Sequence, residues 1–321
     1  MEEKFADLEH KLVFLHQQVA AGELYYDLGP RLLKLAEKTR GQKKAPFTEP
    51  PVSALFMVEV HLRLTGPKNG PQPPFDDEFL TSLLEASQSA DPPIRNQVLN
   101  LVNWANDQQI LTKEQLQWLV IHLSQPKYLY YHLGERRSAG LFARTNALTI
   151  LRYALYASRR QAALVPTTTL QRLIPRLATI LLAERDFRGF VEGNGWGQTM
   201  AILPGVINEL CADERLTRGD KLFLMGCLLV AYRRVGAPLT MGEPDECAIL
   251  LCQLVKRHPL YARYFIRELT NWRKELDQLN TSKTATWHRV FNYRHLMQAM
   301  LLDAGLPNTV ASAIMDQDNY G

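Results

Sequence analysis

Thr112–Leu123 reads TKEQLQWLVIHL. Gln115 follows Thr112 by three residues, the spacing at which a hydroxyl and a returning amide satisfy backbone groups left open at a helix start. Leu116, Leu119, Val120 and Leu123 then fall on one face of a helical turn. Apolar and polar residues do not alternate, so a half-buried strand does not fit. The stretch is a capped amphipathic helix, and the same grammar extends along the chain in both directions.

Toward the N-terminus, Phe5, Leu8, Leu12, Leu15 and Val19 recur at helical steps, and Gly22 ends the run. Leu24, Leu28, Leu32 and Leu35 form a second stripe. The breaker-rich RGQKKAPFTEPP (40–51) follows, then a third helix carrying Leu55, Val58 and Leu62. TGPKNGPQPPF (65–75) is the most linker-like stretch, because proline withholds a donor and glycine is costly to order. Helices are predicted over Asp76–Ser89 and Ile94–Asp107. Toward the C-terminus they are predicted over Ser138–Arg160, over a segment striped by Leu170, Leu173, Ile174, Leu177 and Leu181, and up to about Cys211. Thr217 caps the next one, with Asp220 in its first turn. Glu243–Lys256, Pro259–Leu279, Thr286–Asp303 and a short helix from Pro307 complete the series. In Pro259–Leu279 the predicted buried stripe is Phe265, Leu269, Trp272, Leu276 and Leu279. No segment reads as a β-strand.

Short helices with short connections fold back as antiparallel hairpins. The expected fold is therefore all-α, with hairpins stacked as a HEAT-like α-solenoid; a closed α/α toroid is the alternative. The expected division is an N-terminal helical cap (1–65), a Pro/Gly-rich linker (66–75) and an α-helical repeat domain (76–321). Antiparallel alternation brings every second loop to the same end. Those loops are SADPP, QPKYLYYHLGERRS, ERDFRGFVEGNG, VGAPLTMGEPDE and NTSKTATW, the longest and most elaborate of the chain. Loops on a rigid scaffold carry function more often than the scaffold does.

Composition bounds the function classes. The chain has 321 residues, is 46% hydrophobic and 22% charged, and carries a net charge of +4. Such a small excess, with no concentrated basic stripe, argues against nucleic acid as a partner. Cys211, Cys227, Cys247 and Cys252 form no C-x-x-C pair, the first residues, MEEKFADLEHKLVFLHQQ, read as acidic and amphipathic, unlike a signal peptide, and no run is apolar enough to span a membrane. A cytoplasmic protein without membrane contact is expected. The histidines make no H-E-x-x-H and the cysteine spacings do not suit zinc, so neither metal nor cofactor is expected.

ERDFRGFVEGNGWGQ (184–198) concentrates the chemistry. Gly193, Gly195 and Gly197 free the backbone near a helix start, where unpaired N–H groups favour an anion, and Arg185 and Arg188 are close. The dinucleotide fingerprint needs a preceding strand and the P-loop needs Gly-Lys-Ser/Thr; both are missing. Asp186 and Glu192 would serve as acid and base if their environments split their pKa values. The structural reading pairs Asp186 with Arg144 or Arg188 and buries Trp196 as a core anchor. Arg144, Arg152 and Arg159 share one face of a long helix, with Arg160 beside them, and read as a solvated or ion-paired face.

Three stretches resemble a bacterial family known as domain of unknown function 2785, over about residues 75–272. They are ADPPIRNQVLNLVNWANDQQILTKEQL, YLYYHLGERRSAGLFARTNALTIL, and ERDFRGFVEGNGWGQTMA with INEL after it. The third is the most specific, matching D-x-R-G-aromatic-V-x-G-x-G-W. The resemblance implies an all-α, HEAT-like fold and no particular activity. Family members resembling this chain carry two histidines four residues apart after the Gly-Trp; here Gln198 and Ile202 stand in their places.

The expected function is recognition without catalysis, of a protein or small ligand. The expected face bears Tyr131, Glu135, Arg144, Asp186, Arg188, Glu192, Trp196 and Gln198. The rival readings are a hydrolase or lyase on a toroid using Asp186 and Glu192, and a nucleic-acid-binding helical repeat protein.

Overall fold

The computed structural model describes residues 3–66, 75–161 and 164–316. Most of the expected linker, residues 67–74, lies outside the described residues. Described residues form fifteen α-helices and one two-stranded antiparallel pairing. None of these helices is long and apolar enough to cross a membrane.

Local sequence explains most boundaries. In α1 (Glu3–Ala20), Phe5, Leu8, Leu12, Leu15 and Val19 are all buried. In α6 (Lys113–Leu123), both arms of the Thr112–Gln115 capping box are made, and Leu116, Leu119, Val120 and Leu123 are buried. Gln115 Nε2 also donates to the Phe75 carbonyl, which anchors the helix start. A second capping box, Thr217–Asp220, opens α11 (Arg218–Arg233). Pro175 sits inside α9 (Thr167–Ala183) without ending it.

The chain divides into two compact units, and it enters each more than once. The first comprises residues 1–7, 41–176 and 184–199. It contains α3 (Ala54–Thr65), α4 (Asp77–Ala86), α5 (Pro92–Asp107), α6, the single turn α7 (Pro126–Leu129) and α8 (Gly140–Arg160). The long helix α8 is its centre: α5, α6 and α7 all pack against it, and α3 packs on α5. Burial on most sides of α8 follows from small and apolar residues around its first three turns, from Gly140 to Leu151.

The second unit comprises residues 8–40, 177–183 and 200–321. It holds α2 (Leu28–Lys38), α11, α12 (Glu243–Arg257), α13 (Pro259–Asp277), α14 (Thr284–Leu301) and α15 (Asn308–Met315). Every residue of α11 from Asp220 to Arg233 is buried. A helix apolar all round belongs in a core, and α11 is packed by α2, α13 and α14. Two of its charged residues are buried with partners: Asp220 accepts from His16 Nε2 at 2.6 Å, and Arg233 Nη1 lies 3.3 Å from Glu268. The expected stripe of α13 is buried from Phe265 to Leu276; Leu279 falls beyond the helix and is half-buried.

Three features are visible only in the structure. The third helix forms, but Leu55, Val58 and Leu62 are 82%, 55% and 60% exposed, and the residues α3 buries are Val60 and Arg63. Arg63 stacks on Phe79, 4.0 Å from the ring centroid, so a cationic residue takes an inward position on α3. On the shared cationic face of α8, expected to be solvated or ion-paired, Arg144 is the ion-paired member, completely buried against Glu184. Finally, the chain does contain strands: Phe190–Val191 (β1) pairs with Gly195–Trp196 (β2). Two residues per strand are too few to leave an alternating signature.

Candidate functional site

The loop Ser124–Ala139, the corner Glu184–Gln198 and the extended segment 41–53 meet over the start of α8 in the first unit. The corner is fixed by two ion pairs in series. Asp186 accepts from Arg188 Nε at 2.8 Å and from Nη2 at 2.6 Å, and also from the Ser138 amide at 3.1 Å. Arg188 Nη2 returns a hydrogen bond to the Ser138 carbonyl at 3.0 Å. One acidic side chain thereby clamps its own loop to the neighbouring one.

The second pair lies deeper. Arg144 donates from Nε and Nη2 to Glu184 Oε2, at 3.2 and 2.7 Å, and from Nη1 to the Tyr131 carbonyl at 2.7 Å. Glu184 Oε1 accepts from the amides of Arg185 and Asp186 at 2.8 and 2.9 Å. Both side chains are buried almost completely. The desolvation cost of such a pair is offset only when the remaining donors and acceptors are used, as they are here.

A third pair, His132 Nδ1 to Glu135 Oε2 at 2.8 Å, is also buried. Glu135 Oε1 accepts from the Ala45 amide at 3.2 Å, and the Gln42 amide donates to the Gly134 carbonyl at 2.8 Å. Phe47 stacks edge-on against Tyr131. The breaker-rich RGQKKAPFTEPP is thus a strap laid along 131–135, and burial pushes the Tyr131 phenol up. Three non-glycine residues here have positive φ: His132 at 52°, Arg137 at 52° and Gln198 at 36°. Such backbone persists only where the surroundings over-determine it.

The hairpin rises from this base. Phe190 pairs with Trp196 and Val191 with Gly195, around a turn in which Gly193 has φ 76° and Gly195 φ 78°. These values are the left-handed region that glycine enters at no steric cost. Gly197 serves a different purpose: a Cβ there would overlap Leu141 and reach within 3.0 Å of the Arg188 carbonyl. Thr145 Oγ1 on α8 donates to the Gly197 carbonyl, holding the return strand down.

The glycines therefore build a hairpin, and α10 (Thr199–Ala212) starts only after Gln198. Trp196 is not a core anchor: it is 49% exposed, and its cross-strand partner Phe190 is 52% exposed. The reason is the strand itself, which turns Trp196 outward where a helical corner would have turned it in. Of the expected face, Tyr131, Glu135, Arg144, Asp186 and Arg188 are brought together, but as a framework, and Arg144 pairs with Glu184 rather than Asp186. Glu192 sits exposed at the hairpin tip, and Gln198 is half-buried with its amide on the Arg188 carbonyl at 3.1 Å. Pattern reading missed Glu184, Ser138, Thr145 and Phe190. Among the described residues no cluster of three or more histidine, cysteine or carboxylate groups could hold a metal ion.

The corner with the D-x-R-G-aromatic-V-x-G-x-G-W pattern is the most specific feature of the sequence. A family model described as protein of unknown function (DUF2785) matches residues 129–302. The chain belongs to the DUF2785 family. No curated protein and no solved structure matches it. The matched span of this DUF2785 protein begins at the loop that Asp186 clamps and includes the whole hairpin.

Proposed function

We propose that this DUF2785 protein is a non-catalytic recognition protein that docks a protein partner on the β1–β2 hairpin. The observation that carries this reading is the exposed Phe190–Trp196 pair on a base held by the Asp186–Arg188 and Arg144–Glu184 ion pairs and the buried His132–Glu135 hydrogen bond. Exposed aromatics on a rigid support lose little entropy on binding and recur as interface anchors. Arg136 and Arg137 are exposed beside the same corner, which favours a partner whose apolar side chain is flanked by carboxylates.

A HEAT-like solenoid is the architecture we favour. Supporting it, helices two apart in sequence pack together within the units: α3 with α5, α6 with α8, α12 with α14, and α13 with α15. A cytoplasmic location fits the four buried free cysteines. The acid–base reading of Asp186 and Glu192 loses support from the geometry. Both Asp186 oxygens already accept charged or backbone donors, while Glu192 sits at the exposed tip.

Photo-crosslinking tests the proposal. Benzoylphenylalanine replaces Phe190 in one variant and the exposed Glu114 in another, and each full-length protein is irradiated in its host cells. A discrete adduct at position 190 that is lost on adding Trp196→Ala supports hairpin docking. Equal adducts at both positions, or none at 190, refute it.

A further inference from the structure

The second unit carries a groove unrelated to the hairpin. It lies between α1 and α2, has a volume of about 450 Å³, and is lined by His10, Lys11, Phe14, Leu15, Arg31, Lys34, Leu35 and Lys38. Leu15 is buried and Leu35 half-buried, so the apolar floor is recessed, while Phe14 is 59% exposed and forms a wall. Lys11, Arg31, Lys34 and Lys38 are exposed along the rims, and no carboxylate lines the groove.

The placement of these cations narrows the occupant. Arg31, Lys34 and Lys38 follow an i, i+3, i+7 pattern on one face of α2, over a rise of about 10 Å. Lys11 faces them from α1. A single-headed ligand such as a fatty acid brings one charge to one end and leaves the others unanswered. A bilayer is flat, and the recessed Leu15 and Leu35 would stay out of its reach. Nucleic acid would leave the apolar floor unused. A helix with carboxylates at helical spacing beside an apolar stripe answers both the charge line and the floor.

We infer that the α1–α2 groove is a docking site for an acidic amphipathic helix of a partner protein. Its leucine-like side chains seat on Phe14, Leu15 and Leu35, and its carboxylates meet Arg31, Lys34 and Lys38. Charge pairing at an exposed rim sets register and encounter rate, and apolar burial supplies the affinity.

The probe is a synthetic capped peptide about three to four turns long, with leucine at i, i+3, i+4 and i+7 and glutamate on the flanking positions. Binding to the full-length protein is followed by fluorescence anisotropy. The inference predicts saturable binding that weakens about tenfold or more in Lys34→Glu/Lys38→Glu and separately in Phe14→Ala. It also predicts comparable weakening when glutamine replaces glutamate in the peptide. All substituted side chains are exposed, and circular dichroism verifies each variant's fold. Several results would overturn the inference: no saturable peptide binding, equal affinity for the neutral peptide, or variants that bind as the wild type does. Tight binding of oleate or of phosphatidylserine–phosphatidylcholine vesicles without peptide binding would equally overturn it, as would occupation of the groove by a second copy of the chain.

Discussion

Phe190 and Trp196 face each other across β1 and β2 with ring centroids 5.2 Å apart and planes at 75°. The edge-to-face geometry is the favoured one for aromatic pairs, yet about half of each side chain remains open to solvent. About half of their apolar surface is therefore left uncommitted to folding. That separates the hairpin's energetic role from its proposed use.

Truncating Trp196 should accordingly cost little stability. A cross-strand pair is worth roughly 0.2–1 kcal/mol, so Trp196→Ala should lower unfolding free energy in urea by about 1 kcal/mol or less. A loss of about 3–5 kcal/mol, the range for a buried aromatic, would put Trp196 back in the core.

Arg144 and Glu184 should behave in the opposite way. Arg144→Ala leaves Glu184 charged and buried, and the expected loss is about 3–5 kcal/mol. The apolar pair Arg144→Met with Glu184→Leu should recover part of it, because both charges leave together. Equal losses for the single and double variants would show that the pair is not the unit that matters.

The legibility of the molecule divides along the same lines. Helices were readable because their apolar spacing is redundant: α1 shows its stripe five times and α6 adds a capping box. The Asp186–Arg188 pair was readable because both partners lie in one short loop. Arg144–Glu184 was not, since forty residues separate them and any loop acid was an equal candidate. The hairpin was hidden by brevity, with two cross-strand pairs, Phe190–Trp196 and Val191–Gly195. The spacing of Leu55, Val58 and Leu62 gives a stripe but not which side of α3 meets the core; Arg63 and its aromatic partners decide that.

Acid sensitivity should trace in part to Asp220. Burial alone would raise its pKa, but hydrogen bonds from His16 and Thr217 outweigh that and hold it below the ordinary aspartate value. The unfolded chain then binds the proton more readily. Asp220's contribution is full above about pH 4, the unfolded pKa, and is lost as pH falls through the depressed folded value. Urea unfolding as a function of pH should show a shallower acid limb in Asp220→Asn. An unchanged limb would remove this site from the account.

The four thiols should be silent in the native protein. All are buried, and burial pushes the Cys211 and Cys252 thiols up to about 12. Little thiolate exists near neutrality, and thiolate is the reactive form. A chromogenic disulfide reagent should titrate none of them before denaturation and all of them after. Rapid reaction of a native thiol would reveal an opening absent from this packing.

The central claim, that the aromatic hairpin is a docking face, is tested most directly by affinity. The partner crosslinked at position 190 is purified and titrated against wild type and Phe190→Ala/Trp196→Ala, with unfolding free energies measured in parallel. The account predicts at least about a tenfold loss of affinity with stability changed by about 1–2 kcal/mol at most. Undiminished affinity in a folded double variant would contradict it.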